Sequence, residues 1–358
     1  MSARANGDGH GTGLIDWRVA ARTAKRLSPP PPAVSRHEAE DAVAELYRAT
    51  AQAADQVAQL TLLEEPPVTA VTRVIDRAAW VDTNAGGMRS IMDPLVARLL
   101  DERAPGRVAQ QFGGRLTGVQ VGVVLGFLSG KVLGQFEFFE RPGGQLLLVA
   151  PNLVSVERQL KVDPHDFRLW VCLHEVTHRV QFTAVPWLRR HMLDEVNALA
   201  ATIETDPAEL RRRVTGAVGE LVKVVRGQGD GTGLIAVLAT PEQRVVLDRV
   251  TAFMSLVEGH AEYVMNAVPD SVIPSQKLIE GRFAARRRRS GNPLDRLLRR
   301  LLGMEAKTRQ YVDGSAFVRS VIDRIGVADF NAIWTSTETL PTKAEIGDPA
   351  RWIARVHA

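Results

Sequence analysis

The sequence predicts a mainly α-helical chain with one small β-sheet, an α+β protein. Three observations carry that prediction. Long segments with helical spacing of apolar residues start at capping signals, the clearest being Asp163-Pro164 and Thr240-Pro241. Only two short neighbouring runs, 136–139 and 145–150, read as strands, joined by Arg141-Pro142-Gly143-Gly144. Finally, His174-Glu175-Val176-Thr177-His178 falls inside a helical segment, where a spacing of four puts both imidazoles on one face.

Taken in order, Ile15 to Leu27 has helical spacing and Pro29 to Pro32 ends it. Ser35 with Glu38 three residues on forms a capping box, and an alanine-rich amphipathic helix follows to about Leu62. Residues 70–79 are expected to be helical or mixed. Gly86-Gly87 is expected to break the chain before a helix from about Met88 to Leu100. The run from Val119 to Leu133 is the most apolar stretch. Its Gln120, Ser129, Lys131 and glycines make it a buried, glycine-notched helix and not a membrane span. Leu146 to Ala150 could act as an edge strand that receives a substrate backbone, or belong to an ordinary buried hairpin.

Asp163, Pro164 and Asp166 read as N-cap, first helical position and acidic first turn of the helix that carries the histidines. Phe167, Trp170, Val171, His174, His178 and Gln181 share one face, and Leu169, Leu173, Val176 and Val180 form another. Helices are expected at Trp187–Glu204 and Pro207–Val225, with a glycine-rich loop over 227–233. A further helix starts at the capping box of Thr240 and Gln243 and runs to about Ala267, with Gly259 explained by close packing on the histidine helix. Leu297, Leu301, Phe317, Val318 and Ile322 are the expected core of the C-terminal third.

The 358 residues are 45% hydrophobic and 24% charged, ordinary for a soluble globular protein. We expect a flexible N-terminus over 1–14 and a single domain over 15–358. Within it lie an N-terminal helical part (about 15–135), a metal-site core (about 136–268) and a C-terminal helical part (about 269–358). Cys172 is the single cysteine, so no intrachain disulfide can form, which fits a reducing compartment. Residues 1–13 are polar with no apolar core of a signal peptide, and the expected location is the cytoplasm. The net charge is +4, and Arg282 to Arg300 is strongly basic, but no aromatic residues interleave the arginines. Neither a nucleic-acid nor a membrane partner is expected.

The histidine pair sets the chemistry. A catalytic tetrahedral zinc site needs three protein ligands and an open position for water. His174 and His178 supply two, and Glu175 between them is placed to act as general base. Glu258, His260 and Glu262 are the nearest candidates for a third. By helical wheel Glu262 points furthest away, and Glu258 and His260 are not separable.

Glu258-Gly259-His260-Ala261-Glu262-Tyr263 resembles the E-G-x-A-E-Y segment of gluzincin metallopeptidases, whose first glutamate is the third zinc ligand. The resemblance implies that His174, His178 and Glu258 hold Zn2+, with His260 as the alternative third ligand. The gap from His178 to Glu258 is far longer than in typical aminopeptidases of that clan. More widely the chain is similar to an uncharacterised zincin-like family of actinobacteria and Chloroflexi. The likeness extends over Ile15-Asp16-Trp17, Val34-Ser35-Arg36, the histidine helix, the Glu-Gly-His segment and Gln310-Tyr311, and is strongest to the branch associated with coenzyme F-420 biosynthesis genes. It implies a zincin-like metallopeptidase fold with extra helices.

The expected reaction is hydrolysis of a peptide or small amide, with Glu175 moving the proton. Tyr263, Tyr311 and His260 are the candidate donors to the developing oxyanion. The competing expectation is a catalytically silent zincin-like scaffold or binding protein.

Overall fold

Local capping starts several of the helices. The computed structural model describes residues 14–66, 70–100, 107–141, 143–202, 240–288 and 304–358, with side chains described except at 97–100, 107–112, 287–288 and 304–312. In chain order the first elements are α1 (Trp17–Leu27), α2 (Arg36–Thr61), β1 (Val71–Ile75), α3 (Arg77–Leu100), α4 (Arg107–Ser129), β2 (Gly134–Glu137) and β3 (Gln145–Val149). There follow α5 (Ala150–Leu160), α6 (Pro164–Ala184), α7 (Trp187–Ala201), α8 (Pro241–Ala267), α9 (Gln276–Arg288), α10 (Met304–Phe330), α11 (Lys343–Gly347) and α12 (Pro349–Val356). The described chain is thus mainly helical with one small mixed sheet, an α+β fold. Its contacts divide it into two units, the first with residues up to Val43 and Val71–Val156, the second with Ala44–Ala70 and Glu157–Ala358.

In the first unit Asp16 caps α1 by accepting a hydrogen bond from the Val19 backbone N–H at 3.0 Å. The sheet order is β1-β3-β2, with β1 parallel and β2 antiparallel to β3. Leu146, Leu147, Leu148 and Val149 are fully buried, as a central strand requires. Trp17, Ala20, Ala24, Trp80, Val81, Leu147 and Val149 form a core cluster. The notched helix α4 earns its glycines by touching α1 backbone to backbone. A Cβ on Gly118 would stand 2.5 Å from the Asp16 carbonyl oxygen, and one on Gly122 2.6 Å from that of Ala20. Arg77 ties the unit together. Its guanidinium donates to Asn152 Oδ1 at 2.7 Å and to the carbonyls of Pro29, Pro30 and Pro151 at 3.0, 2.7 and 3.4 Å.

Residues 70–79 are mixed, the second of the two expected alternatives: 71–75 form a strand, because Val-Thr-Arg-Val-Ile pairs with β3, and α3 starts at Arg77. Two expectations need correction. Gly86-Gly87 does not break the chain, since α3 runs through both. The glycines make room for carboxylates instead: a Cβ would lie 2.9 Å from Glu140 Oε1 at Gly86 and 3.1 Å from Glu137 Oε1 at Gly87. Finally, β3 is not an edge strand. It is paired on both sides and Ala150 already begins α5, so strand addition there is excluded.

In the second unit the cap of α6 is the expected one. Asp163 accepts from the Asp166 backbone N–H at 3.0 Å, and Pro164 holds the first position. Thr240 and Gln243 form the reciprocal capping box of α8. Helix α8 packs on α6 and on α10, burying Phe253, Leu256, Phe317, Val321, Phe330, Trp334 and Trp352. Gly259 lies against α10 and not, as expected, against the histidine helix, because its neighbour there is Gly314. Phe317, Val318 and Ile322 are buried as expected. Arg282 donates to the last carbonyls around the end of α5, Leu160 and Lys161, so one arginine of the basic run serves as a helix cap. The segments expected over 207–225 and 227–233, together with Leu297 and Leu301, lie outside the described residues. Among the described residues no helix is long and apolar enough to cross a membrane.

Candidate metal centre

The histidine helix is rigid where it matters. Phe167, Leu169, Trp170, Leu173, Val176 and Val180 are buried along α6, and Phe283 of α9 packs edge-on to Trp170 with centroids 5.4 Å apart. On the far side Arg179 forms a bidentate pair with Glu65, at 2.9 and 2.8 Å. A helix held this way fixes His174 and His178 relative to one another. Their rings stand nearly perpendicular, with centroids 4.7 Å apart.

Helix α8 brings Glu258 to the pair. The two Nε2 atoms are 3.1 Å apart, and Glu258 Oε2 lies 3.5 Å from each. Three donor atoms bound tetrahedrally at typical zinc–nitrogen and zinc–oxygen lengths lie about 3.3 Å from one another. The observed triangle has that size, and two imidazoles with a carboxylate are a donor set suited to a divalent ion. Glu258 side-chain exposure is 9%, while His174 and His178 keep 17% and 12%.

The charges of the three donors complement one another. Burial opposes charge on Glu258, but hydrogen bonding and positive charge from His174 and His178 outweigh it and keep the carboxyl well below the usual range. Burial likewise opposes a proton on His178, and Glu258 overcomes it to raise that histidine's pKa. Glu175 is buried beside the histidines.

The remaining candidates on α8 are His260 and Tyr263. His260 is buried between the rings of Phe330 and Trp334, at 5.5 and 5.3 Å, and its Nδ1 is 3.0 Å from Gln181 Nε2. Burial, with the charge of His178 second, pushes its pKa down to about 3. His260 is not gathered with the three donors. Tyr263 is five residues beyond Glu258, about 140° further round the helix. It packs at the margin of the α8–α10 core, where burial and then Asp323 raise its pKa against Arg319. The side chain of Tyr311 lies outside those described.

By its spacing in the sequence Gln181 falls on the ligand face, with no role evident from the sequence alone. In the structure it lies 3.0 Å from His178 Nδ1, from His260 Nδ1 and from the Val257 carbonyl oxygen. Its position three residues after the second histidine was the available signal.

The family follows from comparison. The profile of the zincin-like metallopeptidases matches residues 15–353, and the chain belongs to that family. The crystal structure of a candidate hydrolase of novel fold from Chloroflexus aurantiacus superposes with a TM-score of 0.71. That chain is 31% identical, and the match covers 96% of this chain and 99% of that one. No curated protein matches the sequence.

Proposed function

We propose that this protein is a zinc-dependent hydrolase that cleaves a peptide or small amide bond. The observation that carries the reading is the triangle of His174 Nε2, His178 Nε2 and Glu258 Oε2, with Glu175 buried beside it. In this reading those three residues hold the ion, and Glu175 is the general base. Bound there, zinc would act as a Lewis acid and bring a water's pKa to about 7. Glu175 takes the proton from the attacking water and returns it to the leaving amine as the C–N bond breaks. The buried helix fixes the backbone of Glu175 relative to those of His174 and His178. Family membership and the hydrolase description of the Chloroflexus protein support a metallohydrolase; the amide substrate is our extension. The expected compartment is the cytoplasm.

The test is metal content by mass spectrometry, followed by a peptide-library screen. Wild type and Glu175→Ala should each carry one zinc, and His174→Ala, His178→Ala and Glu258→Ala should carry none. Zinc retained by Glu258→Ala would remove Glu258 from the ligand set. A metal-free wild type would favour the second reading, a silent zincin-like protein associated with coenzyme F-420 biosynthesis.

A further inference from the structure

Gln181 is fully buried and joins the two helices that carry the donors. Its hydrogen bonds leave no freedom of orientation. The Val257 carbonyl oxygen can only accept, so the amide atom 3.0 Å from it is Nε2. Oε1 therefore faces His178 Nδ1, also at 3.0 Å. An amide oxygen can only accept, so Nδ1 of His178 carries a hydrogen. Nε2 is then the nitrogen left to bind a metal, and it is the one that faces His174 Nε2 and Glu258 Oε2. The remaining amide hydrogen points at His260 Nδ1, which must present a lone pair. Val257 immediately precedes Glu258, so one side chain sets the tautomer of one donor and holds the backbone beside another.

We propose that Gln181 is a positioning residue that locks His178 in the Nδ1–H form with Nε2 turned into the site, and that His260 serves to hold Gln181. A ligating histidine is oriented by the partner of its other nitrogen, and loss of such a partner costs 10- to 100-fold in metal affinity. The assignment accounts for the histidine of the Glu-Gly-His segment without making it a ligand. Its consequence for affinity rests on the zinc reading above; the tautomer lock does not.

The test uses full-length protein labelled with 15N at histidine, zinc-free and zinc-loaded, with His178→Ala identifying the His178 signals. Wild type should show His178 protonated at Nδ1 in both states. Gln181→Leu should show mixed tautomers when zinc-free and a zinc affinity, from chelator competition, lowered about 10- to 100-fold. Gln181→Glu keeps an acceptor for Nδ1–H and should keep the tautomer, but it cannot donate to Val257 or His260, so its affinity should fall by less than that of Gln181→Leu without reaching wild type. His260→Phe should give a smaller loss than Gln181→Leu. If Gln181→Leu does not fold, Gln181→Glu and His260→Phe carry the comparison. A wild-type His178 without a proton on Nδ1, or a folded Gln181→Leu with unchanged tautomer and affinity, overturns the proposal. A wild type that refuses zinc while Gln181→Leu still scrambles the tautomer supports the positioning role and removes the hydrolase reading alone.

Discussion

Gly259 of α8 and Gly314 of α10 meet backbone to backbone. A Cβ on Gly259 would stand 2.1 Å from the Gly314 carbonyl carbon, and one on Gly314 1.9 Å from the Ser255 carbonyl oxygen. No side chain can yield at this crossing, because both neighbours are main chain. The contact sits one residue after Glu258.

Gly259→Ala and Gly314→Ala should each destabilise the protein by at least ~2 kcal/mol, since a methyl must push two helices apart. Gly281→Ala in α9, where a Cβ meets nothing within 4 Å, should instead stabilise by up to ~1 kcal/mol through helix propensity. Urea unfolding monitored by circular dichroism reads both. Equal effects at the two kinds of site would refute the crossing as the cause.

Glu175→Gln should keep its zinc and lose roughly 10²- to 10⁴-fold in turnover, the range for removing a general base. Activity within a few fold of wild type would assign proton transfer elsewhere.

Chelation should lower the melting temperature, and zinc at about 100 times its Kd should add ~2.7 kcal/mol of stability. The same titration on His178→Ala should leave the melting temperature unmoved. A shift of wild-type size in that variant would place the stabilising ion at another site.

Cys172 is buried against Thr50, and burial pushes its thiol up to about 12, with the Thr50 contact working the other way. The folded protein therefore keeps a proton that the unfolded chain begins to lose near pH ~8.5. This contribution to stability is whole below that pH and fades as pH rises from there towards 12. Native protein at pH ~9 should resist alkylation that proceeds at once in denaturant. Fast native labelling would contradict the burial.

Arg77→Lys should cost ~2 kcal/mol. A lysine offers three donors on a point charge where the guanidinium fork reaches four oxygens with no carboxylate among them. Burial already disfavours the charge, holding the pKa of Arg77 below its usual value. A loss within ~0.5 kcal/mol would show that the four carbonyl and amide contacts are dispensable.

What was readable in the sequence was local. Asp163, Thr240 and Ser35 announce their helices because a cap bonds within three residues, and the histidine spacing fixes a shared face for the same reason. What escaped depends on distant partners. Val71 to Ile75 became a strand because β3, roughly 70 residues on, was there to pair with it. Gly86-Gly87 read as a break because glycine lowers helix propensity, whereas Glu137 and Glu140 demanded the space. A helical wheel could not separate Glu258 from His260. That distinction comes from the way α8 crosses α6, which puts Glu258 at the histidines and His260 at Gln181.

The central place of β3 has a kinetic side. Its antiparallel neighbour β2 is a short turn away, so that hairpin can close within microseconds. Its parallel neighbour β1 must return across the whole of α3 and α4, a slower search. Until it arrives, Leu146-Leu147-Leu148-Val149 has one unpaired edge, the kind of surface on which chains stick to one another. Refolding yield should therefore fall as protein concentration rises, even where the native state is stable.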